Sequence, residues 1–122
     1  MKWRQKDKKK VMTAFKKILK ELRIWPCQID YFFMEAQDPE DKEIDIKLAY
    51  TFPYEKYIIT AYPNLIDGDD HQICLSLWHE GFHILLLPLT QNRLMADEIF
   101  REHEEQIVEQ LTNCCSFNVL GS

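Results

Sequence analysis

Glycine and proline are scarce in this chain, three and five residues among 122, which excludes collagen-like, low-complexity and disordered classes. No apolar run approaches the roughly 18 to 20 residues that cross a bilayer. The N-terminus reads as a lysine-rich helix and lacks the apolar stretch and cleavage site of a secretory leader. Neither secretion nor membrane insertion is therefore expected. The four cysteines, Cys27, Cys74, Cys114 and Cys115, contain no CxxC spacing, and the adjacent pair is poorly placed to bridge within itself. Reduced thiols in the cytoplasm fit that pattern better than a disulfide framework. No internal repeat is evident. The length accommodates one packed core, so a single domain over residues 1–122 is expected.

Hydrophobic residues make up 46%, aromatics 12% and charged residues 29%, a globular composition. The net charge of −5 conceals a division. Residues 1–23 hold ten Lys/Arg against Asp7 and Glu21, a balance of +8, whereas the remaining five basic and eighteen acidic residues give −13. A basic segment can contact nucleic acid. Here the acidic remainder is sufficient to bind that segment itself or to repel a phosphate backbone, so a solvated helix face is the expectation and DNA contact the alternative.

Val11, Phe15, Ile18, Leu19 and Leu22 recur at helical spacing with lysines between them, which predicts an amphipathic helix over about residues 7–23. CQIDYFFMEA reads as a strand and DPEDKE as a turn. EIDIKLAYTF alternates apolar and polar positions, and KYIITAY follows as a third strand that Pro63 ends. Their short connection suggests a hairpin, so residues 27–62 should form a small, mainly antiparallel three-stranded sheet. Asp69 or Asp70 is suited to cap the next helix. HQICLSLWHEGFHILLL is apolar on nearly every side and predicts a buried central helix ended by Pro88. TQN then makes a loop, and a last helix covers about residues 92–113, with Phe100, Ile107, Val108 and Leu111 as its stripe. The tail CCSFNVLGS carries no pattern that assigns it to an element. The fold class is α+β, with residues 70–113 as a helical pair.

Within the central helix lies His79-Glu80-Gly81-Phe82-His83, an HExxH sequence. Residues four apart stand one above the other on a helix, so both imidazoles can reach one tetrahedral Zn²⁺ while Glu80 stands beside them to deprotonate water. Two histidines and a glutamate within a segment of Leu, Ile, Phe and Trp are costly to bury without a partner, and a metal is such a partner. A helical glycine costs about 1 kcal/mol relative to alanine. Gly81 therefore calls for a close approach, with another backbone as the expected neighbour.

A catalytic zinc usually has three protein ligands. The metzincin continuation is absent, because Leu86 and Leu89 occupy the positions of its Gly and His. The third ligand must come from REHEEQIVEQL. At about 100° per residue, the stripe of Phe100, Ile107, Val108 and Leu111 centres near Glu104. Glu105 lies about 100° further round and His103 about as far on the other side. Glu104 is the first choice, Glu105 the second and His103 the third. A salt bridge from Glu104 to the basic helix is the competing explanation for that carboxylate.

HEGFHILLLPL, followed about twenty residues after the second His by EEQIVEQL, resembles the small zincin-like metallopeptidases of phages and bacteria. The architecture is similar to that of the gluzincins, including the repressor-cleaving ImmA/IrrE peptidases, and the resemblance covers about residues 57–112. It implies a minimal zincin-like fold with His79, His83 and Glu104 as zinc ligands and Glu80 as general base. It also implies that the strand before the motif helix borders the cleft, so KYIITAY is read as an edge strand able to bind an extended peptide, although its alternation is equally compatible with plain sheet packing.

The leading expectation is a zinc-dependent metallopeptidase acting on a protein or peptide. His71, His103, Tyr62 and Arg101 are unranked candidates for a second oxyanion stabiliser. The alternative is a catalytically inactive zincin-like adaptor with structural zinc, contacting DNA or an acidic partner through its basic N-terminal helix.

Overall fold

The computed structural model describes residues 3–24, 28–51, 56–90 and 98–120, with the backbone alone at 51, 87–90 and 98–101. The fold is α+β: α1 (Gln5–Glu21), β1 (Ile29–Phe33), β2 (Ile46–Thr51), β3 (Lys56–Ala61), α2 (Pro63–Asp67), α3 (Asp70–Thr90) and α4 (Glu98–Cys115). Among the described residues no helix is long and apolar enough to cross a membrane.

The apolar stripe of α1 is buried as its spacing predicts, through Val11, Phe15, Ile18 and Leu19. The helix ends in a Schellman arrangement. Ile24 N–H donates to Leu19 C=O at 2.9 Å and Arg23 N–H to Lys20 C=O at 3.0 Å, with Arg23 left-handed at φ 58°. Trp3 fastens the start of the chain to the sheet by donating Nε1–H to Met34 C=O at 2.8 Å.

The sheet order is β1-β3-β2, with β1 parallel and β2 antiparallel to β3. The expected antiparallel neighbours β2 and β3 are present, but the sheet is mixed, and KYIITAY is its central strand and not an edge. The physical reason is burial: Ile59 and Ala61 are buried in β3, and a strand flanked on both sides best shields such positions. Period-two alternation is the same for an edge and a centre. Among the described residues β1 and β2 are the outer strands of the sheet. Tyr62 N–H donates to Asp45 C=O at 2.9 Å. By antiparallel alternation this turns the backbone groups of Ile46, Leu48 and Tyr50 away from β3, toward the outer side of β2.

Pro63 ends β3 and also opens the short helix α2, where its missing N–H costs nothing. Asp69 caps α3 in a reciprocal box: its Oδ1 accepts Gln72 N–H at 2.8 Å, and its own N–H donates to Gln72 Oε1 at 3.2 Å. α3 runs through Pro88 to Thr90. In a last turn proline removes only one backbone bond, so it does not force the stop expected at that residue. The TQN loop, apart from Thr90, and the start of the last helix at 92–97 lie outside the described residues.

α3 is the central helix, with α1 packed on one side and α4 on another, and it contributes Ile73, Cys74, Leu77, Trp78, Phe82 and Ile84 to the core. The tail that carried no pattern folds back over it. Trp78 donates Nε1–H to Phe117 C=O at 2.9 Å, and Val119 is buried. Among the described side chains of α4 the buried ones are Val108 and Thr112, whereas Ile107, expected in the stripe, is 46% exposed; the side chain of Phe100, also expected there, lies outside the described residues. Thr112 is hidden because its hydroxyl donates to Val108 C=O at 2.7 Å.

Candidate metal centre

His79 and His83 lie one helical turn apart on α3 and meet on one side, with ring centroids 4.9 Å apart. Their Nε2 atoms are separated by 3.3 Å. Glu105 of α4 reaches both, with Oε1 2.8 Å from His83 Nε2 and Oε2 3.4 Å from His79 Nε2. Ligand atoms about 2.0–2.1 Å from a tetrahedral zinc lie about 3.3–3.4 Å from one another. The separations of the two imidazoles, and of His79 from Glu105, match such edges. Among the described residues, His79, His83 and Glu105 form the group able to hold a metal ion. Glu105 is 56% exposed, so the group opens to solvent.

Glu104 stands elsewhere than expected. Its Oε2 lies 3.3 Å from His83 Nδ1, the nitrogen turned away from the shared space. A carboxylate there accepts from the Nδ1–H tautomer, the form a metal on Nε2 requires, whereas without an ion the shorter contact of Nε2 with Glu105 competes for that proton. The order of the two glutamates follows from the orientation of α4. With Ile107 outside and Thr112 inside, the buried direction rotates by roughly 60° toward Glu105. The two carboxylates then flank it. His103, the third choice, is exposed and stands outside the group. A salt bridge from Glu104 to α1 is not among the described ion pairs.

The electrostatics suit a cation. Burial is the main cause that pulls the His79 pKa below its ordinary value, and His83 adds to it; Glu105 and Glu109 oppose the shift. His79 is thereby kept neutral and available as a ligand. Glu80 is 9% exposed. Burial first, then the charges of Asp45 and Glu105, push its pKa up to about 8. Asp45 lies just before β2 and accepts a hydrogen bond from Ser76 of α3 through Oδ2. It therefore ties the start of β2 to the helix that carries Glu80. Asp45 and Ser76 gave no sequence signal, because Asp45 fitted the polar half of a strand alternation.

Gly81 is explained by side chains and not by the backbone approach expected. A Cβ at this position would come within 2.8 Å of Ile18 Cγ2 and 3.3 Å of Leu22 Cδ1. Its bare surface lets α1 press against the helix turn between the two histidines.

Of the four oxyanion candidates, His71 lies about 12 Å along α3 from His79 and lines a separate cavity with Cys74 and Phe117. Tyr62 is buried and bonds Asp45 through its backbone. His103 is exposed on α4, and the side chain of Arg101 lies outside the described residues.

Comparison with protein-family profiles, with curated proteins and with solved structures gives no match.

Proposed function

We propose that this chain is a minimal zinc-dependent metallopeptidase with a zincin-like arrangement of helices and sheet. The observation that carries the reading is the 3.3 Å separation of the two Nε2 atoms with both oxygens of Glu105 beside them. His79, His83 and Glu105 would hold the ion, and Glu104 would orient His83 through Nδ1. Zinc bound there supplies Lewis acidity, polarising a carbonyl oxygen and lowering the pKa of water to about 7. Glu80 accepts the proton of the attacking water and returns it to the leaving amine. Its raised pKa in the metal-free protein falls when a cation is close, which frees the carboxylate to act as the base. An extended peptide would pair with the outward backbone groups of Ile46, Leu48 and Tyr50, the outer edge of the sheet next to Asp45.

The test is elemental analysis of protein purified without added metal, together with cleavage of a peptide pool. One zinc per chain is expected, with loss in His79→Ala/His83→Ala. Cleavage should be stopped by chelator and by Glu80→Gln, which should retain the zinc. Full cleavage by Glu80→Gln would remove that residue from the mechanism. Stoichiometric zinc with no cleavage would leave the alternative, a structural zinc site in a binding protein.

A further inference from the structure

We propose that the outward face of α1 binds the phosphate backbone of duplex nucleic acid. At about 100° per residue, Lys6, Lys9, Lys10, Lys16, Lys17 and Lys20 fall within an arc of about 120°. Val11, Phe15 and Ile18 occupy the opposite side and are buried. The lysine arc therefore points away from α3. Lys6 to Lys20 extends about 21 Å along the axis, the length of about six base pairs.

Among the described residues the acidic side chains leave most of this face without an ion-pair partner. Among the described residues, one lysine of the arc is in an ion pair, Lys10 with Asp70 at 2.6 Å. The other five are exposed and outside every described ion pair. Four of the six, Lys6, Lys9, Lys10 and Lys17, line one groove of about 260 Å³ together with Thr13, Val119 and Leu120. A groove with several ammonium groups and a hydroxyl on its walls suits a phosphate oxygen.

Three features favour a duplex over other polyanions. The arc holds no aromatic side chain, so it offers no platform for stacking unpaired bases. The apolar side of α1 is committed to the core and is not available for insertion among lipids. Lysine is depleted in protein–protein interfaces, where aromatics and arginine anchor the contact. A row of cations on a straight rod matches a regular line of phosphates, and lysines on phosphates carry no base preference.

The experiment is fluorescence anisotropy of the full chain with a labelled 20-base-pair duplex at 50–200 mM NaCl. With five free lysines engaged, log affinity should fall against log salt with a slope of about −4.5, a loss of about 500-fold over that range. Lys6→Gln/Lys9→Gln/Lys17→Gln should reduce the slope by about 3, while the same three changed to Arg retain it. Lys42→Gln/Lys47→Gln, outside the arc, should leave the slope unchanged. Circular dichroism melts check that each variant is folded. Binding should persist in chelator and in His79→Ala/His83→Ala, so its failure is independent of the metal site. The proposal is overturned by no binding at 50 mM salt or by an unchanged slope in the triple glutamine variant. Tighter binding of polyglutamate or phosphatidylserine vesicles than of duplex at equal charge would also overturn it.

Discussion

Gly81→Ala introduces one methyl group at the contact between α1 and the histidine-bearing turn of α3, and its two effects have opposite signs. Replacing a helical glycine by alanine stabilises by about 1 kcal/mol through backbone entropy. The new Cβ would lie 2.8 Å from Cγ2 of Ile18, which is fully buried. Neither helix can yield freely, and overpacking of this kind costs about 1–3 kcal/mol. The net expectation is a loss of about 1 kcal/mol in the otherwise unchanged protein. Ile18→Ala alone should cost about 2–5 kcal/mol through the cavity it leaves. In that background the 2.8 Å contact is gone and the 3.3 Å contact with the end of the Leu22 side chain remains, so Gly81→Ala should stabilise by up to about 1 kcal/mol. The coupling between the two positions is then up to about 2 kcal/mol, within the range for residues in contact. Urea unfolding of the four proteins of the cycle, each in chelator, measures it. If Gly81→Ala stabilises the Ile18 protein, or has the same effect in both backgrounds, the close approach of α1 is not why glycine stands there.

Three further outcomes follow from the same geometry. Glu105→Gln should abolish stoichiometric zinc, whereas Glu104→Gln, which acts through His83 Nδ1, should weaken zinc by about 10–100-fold; competition titration against a chelating dye reads both, and the reverse order would restore Glu104 as the third ligand. Glu80 has a folded pKa of about 8 against an ordinary 4.5, so the folded metal-free protein holds its proton more tightly. Stability in chelator should fall as pH rises from about 4.5 through 8, by as much as roughly 5 kcal/mol, and Glu80→Gln should flatten that decline; urea midpoints between pH 5 and 9 test it, and a parallel profile in the variant would refute it. Arg23→Gly should raise stability by about 1 kcal/mol, because a left-handed residue without a Cβ avoids the steric cost; thermal melts would detect the gain, and a lower midpoint would count against it.

The helices whose apolar pattern is strong, on one face for α1 and nearly all round for α3, are legible in the sequence. α1 announces itself by a stripe with lysines between, and α3 by its length and nearly continuous apolar character. The alternation of β3 marks a strand, but the edge position read for it is wrong, since alternation records faces and is silent about neighbours in the sheet. The two histidines were legible because their spacing equals one helical turn. The choice between Glu104 and Glu105 was not, because it depends on the rotation of α4, which Thr112 changes by hiding its hydroxyl against its own helix. A scheme that counts only apolar residues assigns Thr112 to solvent and Ile107 to the core, and both assignments turn the helix the wrong way. Asp45 became relevant only when β2 met α3, a contact with no local signature.

The parallel pairing of β1 with β3 sets an order of assembly. Ile29 faces Tyr57 and Phe33 faces Ala61, so this ladder closes a long loop, whereas β2 and β3 are neighbours in the chain and can zip locally on a microsecond scale. β1 pairs with β3 and not with β2, so its ladder waits on a contact between distant parts of the chain. Folding is then paced by the return of the first third of the chain, with Trp3 and α1, onto a ribbon already made.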